Sequence, residues 1–311
     1  MKKYEFTGET KVINNGVTVN RIRALIDIES KGVEAGDLGG WIEKESNLNH
    51  KGDAWVFNEA SVCDNARVCD NACVFGTARV FGNARVSGDA WVFNEASVSG
   101  DARVCDNAWV FGTARVFGNA RVSGDAWVSG NARVFGTAWV CGTASVSGNA
   151  RVFNEASVCD NARVFNEASV CDNARVYGNA KVDGNAWVCD NARVSGNALV
   201  FGNARVFGNA WVCGTASVCG TARVSGDAWV SGNARVFKET HVLMVGPIGS
   251  RNATTTFFRS NEANIMVACG CFSGTIDEFL EAVNKTHENN KHGKVYRAAI
   301  ELAKLQIDLD G

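Results

Sequence analysis

The residues of this chain that could carry out acid–base chemistry lie outside its regular centre. A general base must stand within hydrogen-bond reach of the proton that it accepts, and the histidines of the chain are His50, His241, His287 and His292. None of them falls within residues 54–236, where a six-residue pattern repeats without interruption. A zinc site built from three histidines of that repeat is excluded for the same reason. We therefore predict that the protein is not an enzyme and has no cofactor.

Polar residues near the C-terminus could instead bind an anion. Residues 270–275 form a glycine-containing loop before a predicted helix, and backbone N–H groups at such a position bind anions. Thr275 and Glu278 also match the capping-box pattern of a helix start. The predicted site, for a phosphate-bearing small molecule or the carboxylate of a partner, comprises Ser250, Arg251, Thr254, Thr255, Thr256, Ser273 and Thr275. Ordinary turn and cap chemistry is the alternative explanation of these residues.

Cysteine is frequent in the repeat, where nine of the ten cysteines follow a valine in a position that serine and phenylalanine also occupy. Exchange with serine favours small structural thiols. Cys141 and Cys159 would lie about one coil apart, close enough for a disulfide, and so would Cys171 and Cys189, but a reducing cytosol disfavours the bond. A zinc site at Cys269, Cys271 and His287 lacks a fourth ligand, so we predict no metal site.

The repeat itself predicts a solenoid of short strands. Valine stands at every sixth position from Val56 to Val236, thirty-one times, with an alanine two residues before each. Residues two apart on a strand point the same way, so alanine and valine face inward and the residue between them faces outward. Pairs such as Gly82-Asn83 and Asp64-Asn65 tolerate the left-handed backbone that a tight corner needs.

The length of one coil follows from the residue after each valine. When these residues are arranged in columns 18 apart, phenylalanine takes seven of eleven, five of ten and none of ten sites. Columns 12 apart separate the residue types less well. We therefore predict a three-sided parallel β-helix of about ten coils, with a two-sided solenoid as the alternative.

The repeat unit consists of a valine such as Val56, a residue such as Phe57, a glycine or asparagine, a variable residue and an alanine. This unit resembles the hexapeptide-repeat, left-handed β-helix family. The residues 36–42, GDLGGWI, and 52–56, GDAWV, resemble the start of YdcK-like and phage or prophage repeat proteins, and the segments 246–251 and 269–275 are similar to tail domains of phage-encoded repeat proteins. The resemblance implies left-handed coils and favours trimers. Many members of the wider family are CoA-dependent acyltransferases with a histidine on the helix, which this repeat lacks.

One face of the predicted prism is aromatic. Its rows contain Trp55, Cys73, Trp91, Trp109 and Trp127 before the valines, and Phe57, Phe75, Phe93 and Phe111 after them. A contiguous apolar strip of this size is typical of an interaction surface. We predict a homo-oligomer interface of Trp55, Phe57, Phe75, Trp91, Phe93, Trp109, Phe111 and Trp127, with a trimer favoured over a dimer. Alternatively, the phenylalanines pack against the corners and are already half-buried.

A second face, here called the arginine face, aligns Arg67, Arg85, Arg103 and Arg121. Arginine ladders suit nucleic acid, but residues 54–236 contain fourteen arginines and one lysine against fifteen acidic residues. We expect Asp89, Asp101 and Asp106 to pair with these guanidinium groups, which makes nucleic acid an unlikely partner.

Three regions are predicted: an N-terminal β cap (1–53), the β-helix (54–236) and a C-terminal α/β module (237–311). In the module we expect strands at 241–245, 254–259 and 264–268, then two helices. A net charge of −2 and a hydrophobic fraction of 46%, with no apolar N-terminal segment, predict a cytoplasmic protein without a membrane span.

Two functions agree with these residues. The favoured one is a non-enzymatic scaffold, predicted to be encoded by a phage or prophage, that oligomerises through its aromatic face and presents the C-terminal module to an unknown partner. The alternative is a sponge-like protein that sequesters a phosphate-bearing or nucleotide ligand in counter-defence.

Overall fold

The predicted architecture is confirmed by the computed structural model, which describes residues 2–13 and 16–309. The chain forms a parallel β-solenoid of about eleven turns, each of about 18 residues, and a small module of two helices and an antiparallel sheet. It divides into two compact units, Met1–Asn161 and Ala162–Gly311. No helix in the described part of the chain is long and apolar enough to cross a membrane.

The first unit begins with an antiparallel pair, β1 (Tyr4–Val12) and β2 (Thr18–Ala24), and β2 also pairs with β3 (Leu38–Ile42). On its other side β3 pairs in parallel with the strand Ser61–Val62, with Trp41 opposite Ser61 and Ile42 opposite Val62. Leu48 forms a parallel bridge with Val68, and both Ile42 and Leu48 are fully buried. Residues 38–53 therefore supply a first turn that lacks the regular spacing, one turn more than the ten that we predicted.

Two-residue strands then recur every six residues and form three faces. On the mixed face, β3 is followed by β5 (Ser61–Val62), β8 (Arg79–Val80), β11 (Ser97–Val98), β14 (Arg115–Val116), β17 (Arg133–Val134) and β20 (Arg151–Val152). The aromatic face contains β4 (Trp55–Val56), β7 (Cys73–Val74), β10 (Trp91–Val92), β13 (Trp109–Val110), β16 (Trp127–Val128) and β19 (Ser145–Val146). The arginine face contains β6 (Arg67–Val68), β9 (Arg85–Val86), β12 (Arg103–Val104), β15 (Arg121–Val122), β18 (Trp139–Val140) and β21 (Ser157–Val158).

Alanine and valine fill the interior as the alternation predicts, and the valines of the repeat are fully buried. Each strand binds the next coil through its backbone: the N–H of Arg103 donates to the carbonyl of Ala120 (2.9 Å), and that of Cys105 to Val122 (3.0 Å). Strand pairs such as β12 and β15 are in register, so identical repeat positions lie directly above one another. This register produces the rows of like side chains on each face.

The corners explain why glycine alternates with aspartate or asparagine. Gly88 and Asp70 both have positive φ, 69° and 59°, a backbone conformation that these residue types tolerate best. Where an aspartate takes the corner, its side chain accepts a hydrogen bond from the backbone N–H one coil later: Asp70 binds Gly88 (3.1 Å) and Asp106 binds Gly124 (3.0 Å). The acidic corner thus stabilises the coil above it.

The N-terminal residues cover the open end of the first coils. Lys3 is almost fully buried, and its Nζ donates to the carbonyls of Gly52 (3.1 Å) and Ala54 (2.7 Å). Burial lowers the pKa of this lysine to about 8, although the Asp53 carboxylate opposes the shift. The Tyr4 hydroxyl lies 3.0 Å from the carbonyl oxygen of Leu48. These contacts satisfy backbone carbonyls that a bare solenoid edge would expose.

The second unit continues the same pattern of two-residue strands. They are β22 (Arg163–Val164), β23 (Ser169–Val170), β24 (Arg175–Val176), β25 (Lys181–Val182), β26 (Trp187–Val188), β27 (Arg193–Val194), β28 (Leu199–Val200), β29 (Arg205–Val206), β30 (Trp211–Val212), β31 (Ser217–Val218), β32 (Arg223–Val224), β33 (Trp229–Val230) and β34 (Arg235–Val236). Each of these strands up to β31 pairs in parallel with the strand three positions later in the chain, as β27 does with β30.

The C-terminal module is an antiparallel sheet of β35 (Val242–Ile248), β36 (Ala253–Arg259), β37 (Ile265–Cys269) and β38 (Phe272–Thr275), followed by α1 (Ile276–His287) and α2 (Lys291–Gln306). The fourth strand occupies the predicted loop. Phe257, Phe279 and Ile300 belong to the core between sheet and helices. The Thr256 hydroxyl accepts a hydrogen bond from the Trp229 N–H (3.0 Å), so β36 lies against the last coil and covers its edge.

Candidate functional site

The aromatic face of the first unit carries two rows of stacked rings. The ring centroids of Trp91 and Trp109 lie 5.3 Å apart, and those of Trp109 and Trp127 lie 5.4 Å apart, with nearly parallel planes. Phe75, Phe93 and Phe111 stack beside them at 4.7 and 4.9 Å. The spacing is close to the distance of about 4.8 Å between strands, because parallel in-register pairing places each ring above the previous one. We call these six residues the six-ring strip.

The two rows also touch each other edge to face. The Phe75 and Trp91 rings are 5.7 Å apart and almost perpendicular, and Phe93 contacts Trp109 at 6.0 Å. Such aromatic pairs add about 0.5–1.5 kcal/mol beyond their buried area. The rings are half-buried by one another, except that Trp127 keeps 48% of its surface exposed. The strip is therefore a continuous surface of ring edges.

Two residues of the predicted interface lie outside this strip. Trp55 is fully buried, and its ring packs edge to face against Tyr4 at 6.3 Å. The N-terminal cap covers it, so our assignment of Trp55 to an exposed interface was wrong. Phe57, next to it, is half-buried. The sequence pattern gave no sign of this because Trp55 occupies the same repeat position as the exposed tryptophans.

A regular contact that the sequence reasoning missed accounts for the residue after the valine in those coils that lie one coil before a tryptophan. Each repeat tryptophan contacts the residue 16 positions before it: Trp109 packs on Phe93, whereas the Trp211 indole N–H donates to the Ser195 hydroxyl (3.0 Å). Trp139, Trp187 and Trp229 donate in the same way to Ser123, Cys171 and Cys213. Serine and cysteine are therefore acceptors for tryptophan at these coils, and the offset of 16 is readable in the sequence.

The arginine face differs from the prediction in its partners. Arg67, Arg85 and Arg103 are aligned by the register and are exposed. Within the described residues, none of the four arginines of this face forms an ion pair within 4.0 Å. The expected acidic partners are used elsewhere: Asp89 and Asp101 accept hydrogen bonds from corner asparagines at 3.1 and 2.9 Å. Asp106 binds the Gly124 N–H, so the expected pairing was wrong.

The C-terminal module contains a cleft of about 330 Å³. Its lining consists of Ser250, Arg251, Cys269, Cys271, Phe272, Phe279, Ala282, Val283, Thr286, His287 and Tyr296. Arg251 donates from Nη1 to the Cys271 sulfur (3.6 Å). Burial, with help from the neighbouring Cys269, raises the pKa of Tyr296 to about 12, so its hydroxyl stays protonated at neutral pH. The cleft thus combines one cation, hydroxyl donors and an aromatic floor.

Only part of the predicted anion site belongs to this cleft. Ser250 and Arg251 line it, whereas Thr255 and Thr256 are buried in the sheet, where Thr255 donates to the Cys269 sulfur (3.2 Å). Ser273 is exposed on β38. Thr254, on β36, lies beside Gly246 of β35.

Thr275 caps α1, as the capping-box pattern predicts. Its N–H donates to the Glu278 carboxylate (2.7 Å), and its hydroxyl accepts from the Glu278 N–H (3.2 Å). The anion at this helix start is therefore a side chain of the protein itself. The aromatic lining of the cleft, Phe272, Phe279 and Tyr296, comes from separate elements and had no sequence signal.

The cysteines are not uniform thiols. Cys141 and Cys159 form a disulfide across one coil, with their Cα atoms 4.6 Å apart, so the expectation of free thiols was wrong for this pair. Cys171 and Cys189 stay reduced and, with Asp172, place three ligand atoms within 4.8 Å of one another. Burial raises the pKa of Cys171 to about 12. A protonated thiol is a poor metal ligand, and in the described residues Cys269, Cys271 and His287 form no such group.

Comparison with known families agrees with the fold. The model of the YdcK beta solenoid repeat matches residues 78–93, 114–130, 126–142 and 198–214. All four segments consist of solenoid coils. No curated protein is similar enough to this chain to count as a relative. The chain is thus similar, in these coils, to the YdcK beta solenoid repeat.

Proposed function

We propose that this protein is a non-enzymatic scaffold that assembles with copies of itself through the six-ring strip. The observation that carries the proposal is the continuous surface formed by Trp91, Trp109, Trp127 and the three phenylalanines beside them. A contiguous apolar surface of this kind on identical chains is typically buried in a closed symmetric assembly. A trimer is favoured, by resemblance, over a dimer.

Two histidines support a structural rather than a catalytic reading. The Nδ1 atom of His50 accepts the Lys3 N–H (3.1 Å), and that of His241 accepts the Phe237 N–H (3.4 Å). Burial lowers the pKa of both residues, so they stay neutral inside the terminal caps.

In a scaffold of this kind, the C-terminal module would be the part presented to a partner. Phage origin and a cytoplasmic location stay predictions.

The test is native mass spectrometry of the full chain and of Trp109→Ser. Serine occupies the same outward position in other coils, such as Ser97 and Ser145, so the variant keeps the fold. We expect a wild-type trimer or dimer and a loss of about 2 kcal/mol or more per interface in the variant, which removes a central aromatic anchor. Trp229→Ser, at a tryptophan outside the strip, is the matched control. A monomeric wild type, or an unchanged assembly of Trp109→Ser, contradicts the proposal.

The cleft of the C-terminal module favours the second candidate function, binding of a small phosphate-bearing ligand. Arg251 is the cation that would pair with the phosphate, and Ser250 adds a hydroxyl. Isothermal titration with inorganic phosphate and with AMP should show binding that weakens about tenfold or more in Arg251→Ala. Arg297→Ala is the control, since that guanidinium is bound to Asn284 and to the Glu288 carbonyl instead. Equal affinities in wild type and Arg251→Ala would exclude this function.

A further inference from the structure

The mixed face of the first unit contains a second ladder of aromatic rings, and one ring of it is missing. Phe117, Phe135 and Phe153 stack with their planes parallel at 4.8 and 5.1 Å. Phe81 occupies the same repeat position two coils before Phe117. The coil between them carries Ser99 at this position, so the side-chain row is interrupted by a single small residue.

The interruption forms a cleft of about 450 Å³. Its lining consists of Arg79, Phe81, Glu95, Ser97, Ser99, Thr113, Arg115 and Phe117. Two coils span about 9.6 Å, so a flat ring placed over Ser99 would lie about 4.8 Å from each neighbouring phenylalanine. That distance equals the observed separation of Phe117 and Phe135. The gap therefore has the thickness of one aromatic ring.

Two cationic side chains and one acidic side chain line the gap. Arg79 and Arg115 flank Ser97 on either side, just as the two phenylalanines flank Ser99. The Arg79 guanidinium lies 5.3 Å from the Phe81 ring, and within the described residues neither arginine forms an ion pair within 4.0 Å. Glu95 lies two residues before Ser97 in the same coil and also lines the cleft. From Ser99 towards Glu95, the side chains that line the cleft are therefore first aromatic, then cationic and finally acidic.

We propose that this gap binds a small molecule that carries a flat aromatic ring and an anionic group next to it. The ring stacks between Phe81 and Phe117, and a carboxylate or phosphate lies between Arg79 and Arg115. Glu95 then accepts a hydrogen bond from an amino group of the ligand. An aromatic amino acid or a nucleotide supplies this chemistry. The site lies on the mixed face and does not depend on self-association through the six-ring strip.

The first experiment is isothermal titration of the full chain with tryptophan, AMP and uncharged indole. We expect tryptophan or AMP to bind about tenfold or more tightly than indole, because only the charged probes engage the arginines. The tighter of the two identifies the amino acid or the nucleotide as the ligand type. The double variant Arg79→Ala/Arg115→Ala should bind the charged probe no better than indole. If no probe binds the wild type at millimolar concentration, the proposal is wrong.

A second variant distinguishes this gap from other surfaces. Ser99→Phe completes the ladder with a ring of the protein itself, so the coil stays folded and the affinity falls at least about tenfold. Ser129→Phe is the matched control, the same change at the equivalent position on the aromatic face. It should alter the affinity less than about twofold. Unchanged binding to Ser99→Phe, with its fold checked by circular dichroism, would overturn the proposal.

Discussion

Replacing Gly88 by valine should lower the free energy of unfolding of the solenoid by more than about 3 kcal/mol. Gly88 has a φ of 69°, which a β-branched residue rarely adopts. A Cβ atom at this position would lie 2.8 Å from the backbone nitrogen of Asp106 in the next coil. Corners with an unbranched Cβ are accommodated even one coil apart, as at Asp172 and Asp190, but the two methyl groups of valine would press on backbone atoms that the hydrogen bonds between coils hold in place. The coils above and below must therefore separate.

Gly88→Asn is the control that makes this expectation specific. Asparagine and aspartate already occupy equivalent corners with positive φ, for example Asn94 and Asp106, so this variant should lose less than about 1 kcal/mol. Urea unfolding followed by far-UV circular dichroism measures both variants. Each coil contacts only its neighbours, so Gly88→Val should also broaden the transition. Equal stability of the valine and asparagine variants would contradict the corner explanation.

The second large effect concerns the pH dependence of the N-terminal cap. The folded chain releases the Lys3 proton near pH 8, whereas the unfolded chain holds it up to the ordinary pKa of 10.5. Between these values the unfolded state binds more protons, so the contribution of Lys3 to stability rises with pH. Below pH 8 both states are protonated and the contribution is constant. The gain is at most about 3 kcal/mol, at about 1.4 kcal/mol per pH unit.

Lys3→Met isolates this effect. The difference in unfolding free energy between wild type and variant should shift in favour of the wild type from pH 7.5 to pH 10.5. Burial raises the pKa of Tyr4 in the folded chain, so its hydroxyl titrates in this range only in the unfolded chain, which is common to both proteins and cancels in the difference. Lys51→Met, an exposed lysine near the same coil, controls for net charge. A constant difference across this pH range would show that Lys3 is not held in a desolvated position.

The repeat determined the coil by local rules that need no knowledge of the rest of the chain. Alternation along each strand directs Ala102 and Val104 inward, and both are fully buried. The residue types at Gly82 and Asp64 match their positive φ. Thr275 and Glu278 are three residues apart, so their capping box is equally local. Each of these features depends on residues at most six apart, which is why the sequence alone predicted them.

Only the tertiary structure decided which equivalent positions behave differently. Trp55 and Trp109 are the same residue type at the same repeat position. Tyr4 nevertheless covers Trp55, whereas Trp109 faces outward. The disulfide selects Cys141 and Cys159, whereas Cys171 and Cys189 stay reduced. Burial and partner choice depend on which residues the folded chain places nearby. Near-identical repeat units carry little of that information, because each unit specifies only the conformation of its own coil. Contacts with the terminal caps then make equivalent positions of different coils unlike one another.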